Sequence, residues 1–248
     1  MFKRISFDYS DTTVLITGGS NGIGHACAKA YQDAGATVII TGRQKSASDY
    51  DNDLQGLQYH QLELDSTGNI DSLFSSLSSL DILINNAGGT QKDEWSIEGF
   101  NKSLDVNLNS SFAMATHCKE LLMQSKLEGG ASIIGIASMT SFFGSEWTPG
   151  YGPAKTGVVG LARMLGHSWG KDGIRCNAIA AGLTKSNLTS YVIENMPEIV
   201  ESSLQRQGIK RLGEGDDIAS MVLYLTSPAA SWVTGQTIAV DGGFSTGL

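Results

Sequence analysis

Cysteine is scarce: the 248 residues hold three, Cys27, Cys118 and Cys176, an odd number, far apart and without any C-x-x-C pair. That count excludes a disulfide framework and a thiolate zinc cluster as organising features, and it fits reduced thiols in a cytoplasmic setting. Histidine is equally sparse. His25, His60, His117 and His167 are scattered with no H-E-x-x-H among them, so neither a metal hydrolase nor a resident metal is expected. Basic clusters are missing too: 17 Lys and Arg stand against 25 Asp and Glu, a net charge of −8, which makes nucleic acid and anionic membranes unexpected partners. No apolar run approaches 18 residues, and MFKRISFDYSDTT at the start has two basic side chains with no apolar core after them. Neither a membrane span nor a secretory leader is expected, and the chain reads as soluble and cytoplasmic. Nor does any repeat, low-complexity tract or linker divide it, so residues 1–248 are read as one domain.

What is present is an alternation. Residues 13–17, TVLIT, read as a short buried strand, GGSNGIG follows at once, and helical spacing resumes at His25. In that glycine loop Gly18, Gly22 and Gly24 let the backbone turn sharply and let a pyrophosphate approach a helix N-terminus. Residues 37–41, TVIIT, form a second strand that ends in Gly42 and Arg43. An acidic residue at this strand end would hold the ribose 2′-hydroxyl of NAD; here Gly42 leaves room and the Arg43 guanidinium suits a phosphate, which favours NADP with NAD as the alternative.

Residues 44–57 are polar and short, so a loop or single turn is expected in place of a full crossover helix. YHQLEL at 59–64 alternates as a strand, with Asp65 at its end where adenine would lie, and a helix over 69–79 leads to a buried strand at 82–84 within DILINNAGG. Helical periodicity runs through 99–126; Asn107 lies inside it, either at the surface or, flanked by Val106 and Leu108, turned into a site. A strand at 132–137, a helix reaching 169 with Pro153 in its first turns, a strand at 174–179, one or two helices over 187–207 broken at Pro197, a helix at 216–226 and a strand at 237–240 complete the chain. Strands separated by helices throughout argue an α/β fold with a parallel sheet covered on both faces.

The chemistry concentrates at 138–155, SMTSFFGSEWTPGYGPAK. Tyr151 and Lys155 are four apart, so on a helix they share one face, and the ammonium is expected to lower the phenol from its usual pKa of about 10. Ser138 follows the apolar run SIIGIA and so stands at a strand's carboxyl end, where open parallel sheets carry their chemistry.

Taken together, TGGSNGIG at 17–24, NNAG at 85–88, Asn107, Ser138, the Y-x-x-x-K pair, RLGEGDDIA from Arg211 and GQTIAVDGG near the end resemble the short-chain dehydrogenase/reductase family. The resemblance implies a seven-stranded doubly wound Rossmann sheet and a catalytic tetrad of Asn107, Ser138, Tyr151 and Lys155. It further implies dinucleotide contacts from Gly18, Ser20, Asn21, Gly22, Ile23, Gly24, Arg43, Asp65, Asn86, Ala87 and Gly88, and from Tyr151, Lys155, Thr184 and Ser186. Tyr151 would exchange a proton with a carbonyl or hydroxyl oxygen while hydride passes to or from the nicotinamide. Ser138 would hydrogen-bond that oxygen, Lys155 would bind the ribose, and Asn107 would hold a water. Two departures stand out: Ala181-Gly182 replaces the family's usual Pro-Gly, and Gly215 stands where Pro is common.

Residues 183–207 would form a substrate flap. Together with Trp95, Met139, Phe142, Phe143 and Trp147 it offers an apolar wall suited to a hydrophobic or aromatic alcohol or ketone, unless these side chains pack the flap or a subunit contact instead. A small polyol or sugar oxidised with NAD is the alternative substrate reading, and a non-catalytic dinucleotide sensor the alternative of another class. Family resemblance also implies a homo-oligomer, dimer or tetramer, paired through the helices of 99–126 and 151–169.

Overall fold

The computed structural model describes residues 7–64 and 68–247. Its seven strands are β1 (Thr13–Ile16), β2 (Thr37–Gly42), β3 (Gln58–Gln61), β4 (Ile82–Asn85), β5 (Ala131–Ser138), β6 (Ile174–Ala181) and β7 (Thr237–Val240). They lie in the order β3-β2-β1-β4-β5-β6-β7, and every pairing is parallel. From β1 the chain builds outward through β2 and β3, then returns to lay β4 on the other side of β1. At that reversal the loops leaving the two central strands part, which opens a crevice at their carboxyl ends.

Side chains alternate along each strand, so the apolar runs feed two cores. Leu15, Leu83 and Ile133 face one side, packed by Met114, Cys118 and Leu122 of α4 (Ser110–Met123) and by Val158, Ala162 and Leu165 of α5 (Tyr151–Trp169). Val14, Ile16, Ile82 and Ile84 face the other, covered by α1 (Gly22–Asp33) and α8 (Gly215–Thr226). All three cysteines are free and buried in these cores.

Several expected boundaries shift. The strand expected over 59–64 pairs only through Gln58–Gln61, and the helix after it, α2 (Gly68–Ser75), stops short of residue 79. The periodicity over 99–126 is not one helix. It divides into α3 (Ile97–Leu104), a wide π-type turn at Asp105–Asn109, and α4. Residues 44–57 hold no crossover helix, only the short turn Ala47–Asp49 and a second one closed by Leu57 N on the Leu54 carbonyl, as their polarity implied. Residues 187–207 break at Pro197 into α6 (Ser190–Asn195) and α7 (Pro197–Arg206), proline being tolerated at a helix's first position because its missing N–H would go unpaired there.

Candidate active site

The loops leaving β1 and β4 are stitched together. Thr17 Oγ1 accepts from the backbone N–H groups of Asn86 and Ala87, each at 3.0 Å, and Asn86 Nδ2 donates to the Thr17 and Gly18 carbonyls at 2.9 and 3.2 Å. Gly18 has φ +65°, and a side chain there would press on Ala87 at 3.1 Å. Behind the loop, Asn21 flanks the start of α1 without a side-chain cap, and no acidic residue occupies the first turn. Its leading N–H groups and positive dipole end therefore suit an anion such as a pyrophosphate, with Gly22, Ile23 and Gly24 opening the helix. The turn at Thr184 and Ser186 closes over the same place: a side-chain carbon on Gly22 would stand 2.9 Å from Ser186 Cβ. Thr189 holds that turn, donating to the Thr184 carbonyl at 2.6 Å and accepting from Ser186 N at 3.0 Å.

At the end of β2 the Arg43 side chain is exposed. The room left by Gly42 is partly taken, because a side chain on Gly42 would collide with the Tyr50 hydroxyl. Asn52 Nδ2 binds the Ser20 carbonyl at 2.9 Å and Asn21 Oδ1 at 2.8 Å, so the polar stretch after β2 folds back and braces the glycine loop. Asn52 and Tyr50 carried no sequence signal, since each acts through a contact with another segment, whereas Thr189 closes its own turn through residues three to five positions before it, a local pattern that could have been read. Asp65 lies outside the described residues.

β5 delivers Ser138 to the crevice, and α5 begins at Tyr151. Lys155, one turn along, is 3% exposed; its ammonium donates to the Ile136 carbonyl at 2.8 Å and lies 5.5 Å from the Tyr151 ring centroid. Asn107 proves to be buried within the wide turn. Its Nδ2 donates to the carbonyls of Gly89 (3.0 Å) and Ser103 (2.9 Å), and its Oδ1 accepts from Gly89 N at 2.9 Å. A side chain on Gly88 would collide with Asn107 Oδ1 and stand 3.1 Å from Lys155 Nζ, so these three residues converge.

The electrostatics correct one expectation. Tyr151 is not made acidic by its neighbour here: burial pushes it up to about 12, helped by the Glu94 carboxylate, while a hydrogen bond with Ser138 pulls it down. Burial also lowers Lys155 to about 8. Removal from water favours the neutral form of each group, and that effect exceeds the attraction between ammonium and phenolate.

Around the mouth, Trp95, Trp147 and Tyr191 are 77, 65 and 68% exposed, and Trp95 Nε1 donates to the Glu146 carbonyl at 3.2 Å, joining two of the expected walls. Phe143 follows the packing alternative. It packs edge-on to Phe244, with the Arg206 guanidinium 4.4 Å from its ring centroid and 4.6 Å from that of Phe244, an anchor for the end of α7 in place of a pocket wall. Among the described residues no His, Cys, Asp and Glu cluster could hold a metal ion, and no helix is long and apolar enough to cross a membrane.

A family model described as enoyl-(acyl carrier protein) reductase matches residues 18–245. A 3alpha-hydroxysteroid dehydrogenase of Mediterraneibacter gnavus is 31% identical over 243 residues, covering 92% of this chain and 94% of its own. Among solved structures, the Pseudomonas aeruginosa RhlG/NADP active-site complex matches with a TM-score of 0.85 at 29% identity, over 98% of this chain and 99% of that one. A 4-hydroxyisoleucine dehydrogenase complexed with NADH matches at 0.86 and 29%, over 96% and 100%. A doubly wound sheet, a glycine loop opening α1, and relatives of this kind along nearly the whole chain make the protein an NAD(P)-dependent oxidoreductase, and it belongs to the short-chain dehydrogenase/reductase family.

Proposed function

We propose that the protein interconverts a ketone and a secondary alcohol, that NADP(H) is its favoured cofactor, and that its substrate is hydrophobic or aromatic. The convergence of Ser138, Tyr151, Lys155 and Asn107 beside the loops that leave β1 and β4 carries this reading. The dinucleotide's diphosphate would rest on the N-terminus of α1, between residues 18–24 and 86–88, with Thr184 and Ser186 closing over it and Arg43 at the 2′-phosphate. When bound, its nicotinamide supplies or accepts the hydride.

This chain's own residues manage the proton. Tyr151 Oη donates to the carbonyl oxygen as negative charge grows there, and Ser138 Oγ holds the same oxygen, so donors are in place before the charge develops. Lys155 binds the nicotinamide ribose and, while charged, eases formation of the phenolate; Asn107 orients a water that refills the relay. The exposed tryptophans and Tyr191 favour an apolar substrate surface. The NADH complex of a structural relative keeps NAD as the second reading of the cofactor, with a small polyol or sugar as its substrate.

The test is oxidation of NADPH and NADH against a panel of aryl and alkyl ketones, sugars and anionic keto acids. Turnover of apolar ketones with NADPH is expected; turnover confined to sugars or acids overturns the substrate class, and cofactor binding without any turnover favours a dinucleotide sensor. We place the protein in the cytoplasm and expect it to work as a dimer or tetramer.

A further inference from the structure

One acidic side chain beside this site has no part in the proton transfer just described. Glu94, in the loop between β4 and α3, is 5% exposed. Its Oε2 accepts the backbone N–H groups of Gly150 and Tyr151, both at 2.9 Å. Its Oε1 accepts Gln91 N at 2.8 Å and the Ser103 hydroxyl at 3.2 Å. All four partners are donors, so a carboxylate satisfies every one of them.

Nothing nearer in sequence does this work. Gly150, which flanks the start of α5, has no side chain and makes no cap, and a side chain there would stand 2.8 Å from Ser103 Cβ and 3.3 Å from Phe100 Cα. The first N–H groups of a helix need acceptors, and a negative charge is favoured at that end; here both needs are met by a residue 57 positions upstream of Tyr151. Ser103, held by Glu94 through its hydroxyl, offers its own carbonyl to Asn107 Nδ2 at 2.9 Å. One carboxylate thus ties the residue that opens α5 to Asn107, which meets Lys155 at Gly88 from the wide turn after α3.

Resting on the function proposed above, we infer that Glu94 is a positioning residue: it caps α5 from outside, sets where the Tyr151 hydroxyl stands, and couples that placement to Asn107. Its charge adds a second effect. The groups that face the Tyr151 phenol are Ser138 at the end of β5, Lys155 on α5 and Glu94 from the loop, while the ionisable side chains of α3, Glu98 and Lys102, are exposed. A carboxylate held on the Tyr151 N–H disfavours phenolate on the same residue, so removing the charge moves the loss of ketone reduction at high pH toward neutrality.

The test compares Glu94→Gln and Glu94→Ala with wild type, using the fastest ketone of the panel. Both variants are expected to bind NADPH within about twofold of wild type, read by quenching of tryptophan fluorescence. Glu94→Ala should lose roughly 10- to 100-fold in kcat with little change in KM, the size expected when a catalytic group is displaced by about 1 Å. Glu94→Gln keeps one acceptor oxygen, and should recover much of kcat while its alkaline limb moves acidward. A loss under threefold in Glu94→Ala overturns the assignment. So does equal loss in both variants with the limb unmoved, which would mark a purely structural strut.

If Glu94→Ala does not fold, Glu94→Gln carries the test through its kcat and its limb. The backbone amide resonances of Gly150 and Tyr151, shifted downfield by a charged acceptor, should move upfield in Glu94→Gln without any substrate; unmoved resonances overturn the cap. Wild type binding neither dinucleotide would instead sink the oxidoreductase chemistry proposed above, leaving the amide shifts to decide the cap on their own.

Discussion

Lys155 is 97% buried, and its ammonium donates to the Ile136 carbonyl, a small recompense for leaving water. Its folded pKa, about 8, lies below the usual 10.5, so the folded chain binds fewer protons than the unfolded one between those values. Stability therefore rises with pH across that window, and at pH 7 the charged lysine opposes folding by roughly 3 kcal/mol. Lys155→Met is expected to raise the melting temperature at pH 7 while abolishing turnover, a result that calorimetry and the ketone assay check together. Tyr151→Phe removes only the transferable proton, and should cut kcat by at least about a thousandfold with NADPH affinity unchanged. At the other end of the cofactor site, Arg43→Ala should weaken NADPH roughly tenfold and leave NADH as it was, measured by fluorescence titration. The Tyr151 and Lys155 spacing was plain in the sequence. The net direction of the Tyr151 shift was not, because burial by distant segments decides it.

Helix α3 and helix α4 show where periodicity stops being informative. Phe100, Leu104, Leu108 and Phe112 recur at helical spacing, and the wide turn at Asp105–Asn109 keeps the chain direction, so one helix is the natural reading. Yet the turn is what brings Asn107 against Gly89 and lets its amide reach the Ser103 carbonyl. Such turns inside helices are frequent at functional sites. Deleting the exposed Asp105 should let the two helices join, leaving Asn107 three residues past Ser103 and about 100° out of place. Circular dichroism is expected to stay near that of wild type while kcat drops at least about tenfold; full activity in the deletion would show that Asn107 needs no such turn. Elements with a strong local signature were read closely: β1, the strand at the heart of β4, and the break at Pro197. Those with a weak one, β3 and α2, end sooner than their local pattern suggests, since their ends depend on pairing with β2 and on packing beneath α4.

Across the whole molecule, α4 and α5 leave apolar side chains uncovered: Phe112 is 51%, Met123 44% and Met164 62% exposed. A dimer or tetramer paired through these helices would bury them, and light scattering behind size exclusion is expected to give a multiple of 26.3 kDa. Met164→Glu, at the most exposed of the three, should shift that mass downward. The order of strands and helices, the glycine loop after β1 and the face shared by Tyr151 and Lys155 were determined by the sequence alone, because each depends on residues within a few positions of one another. Tertiary structure decided the rest: that Asn52 braces the glycine loop, that Asn107 turns inward, that Phe143 anchors α7, and that Glu94 caps a helix 57 residues away. Those depend on which surfaces the crossing of the sheet brings together, and on how far water is excluded there, neither of which a local pattern encodes.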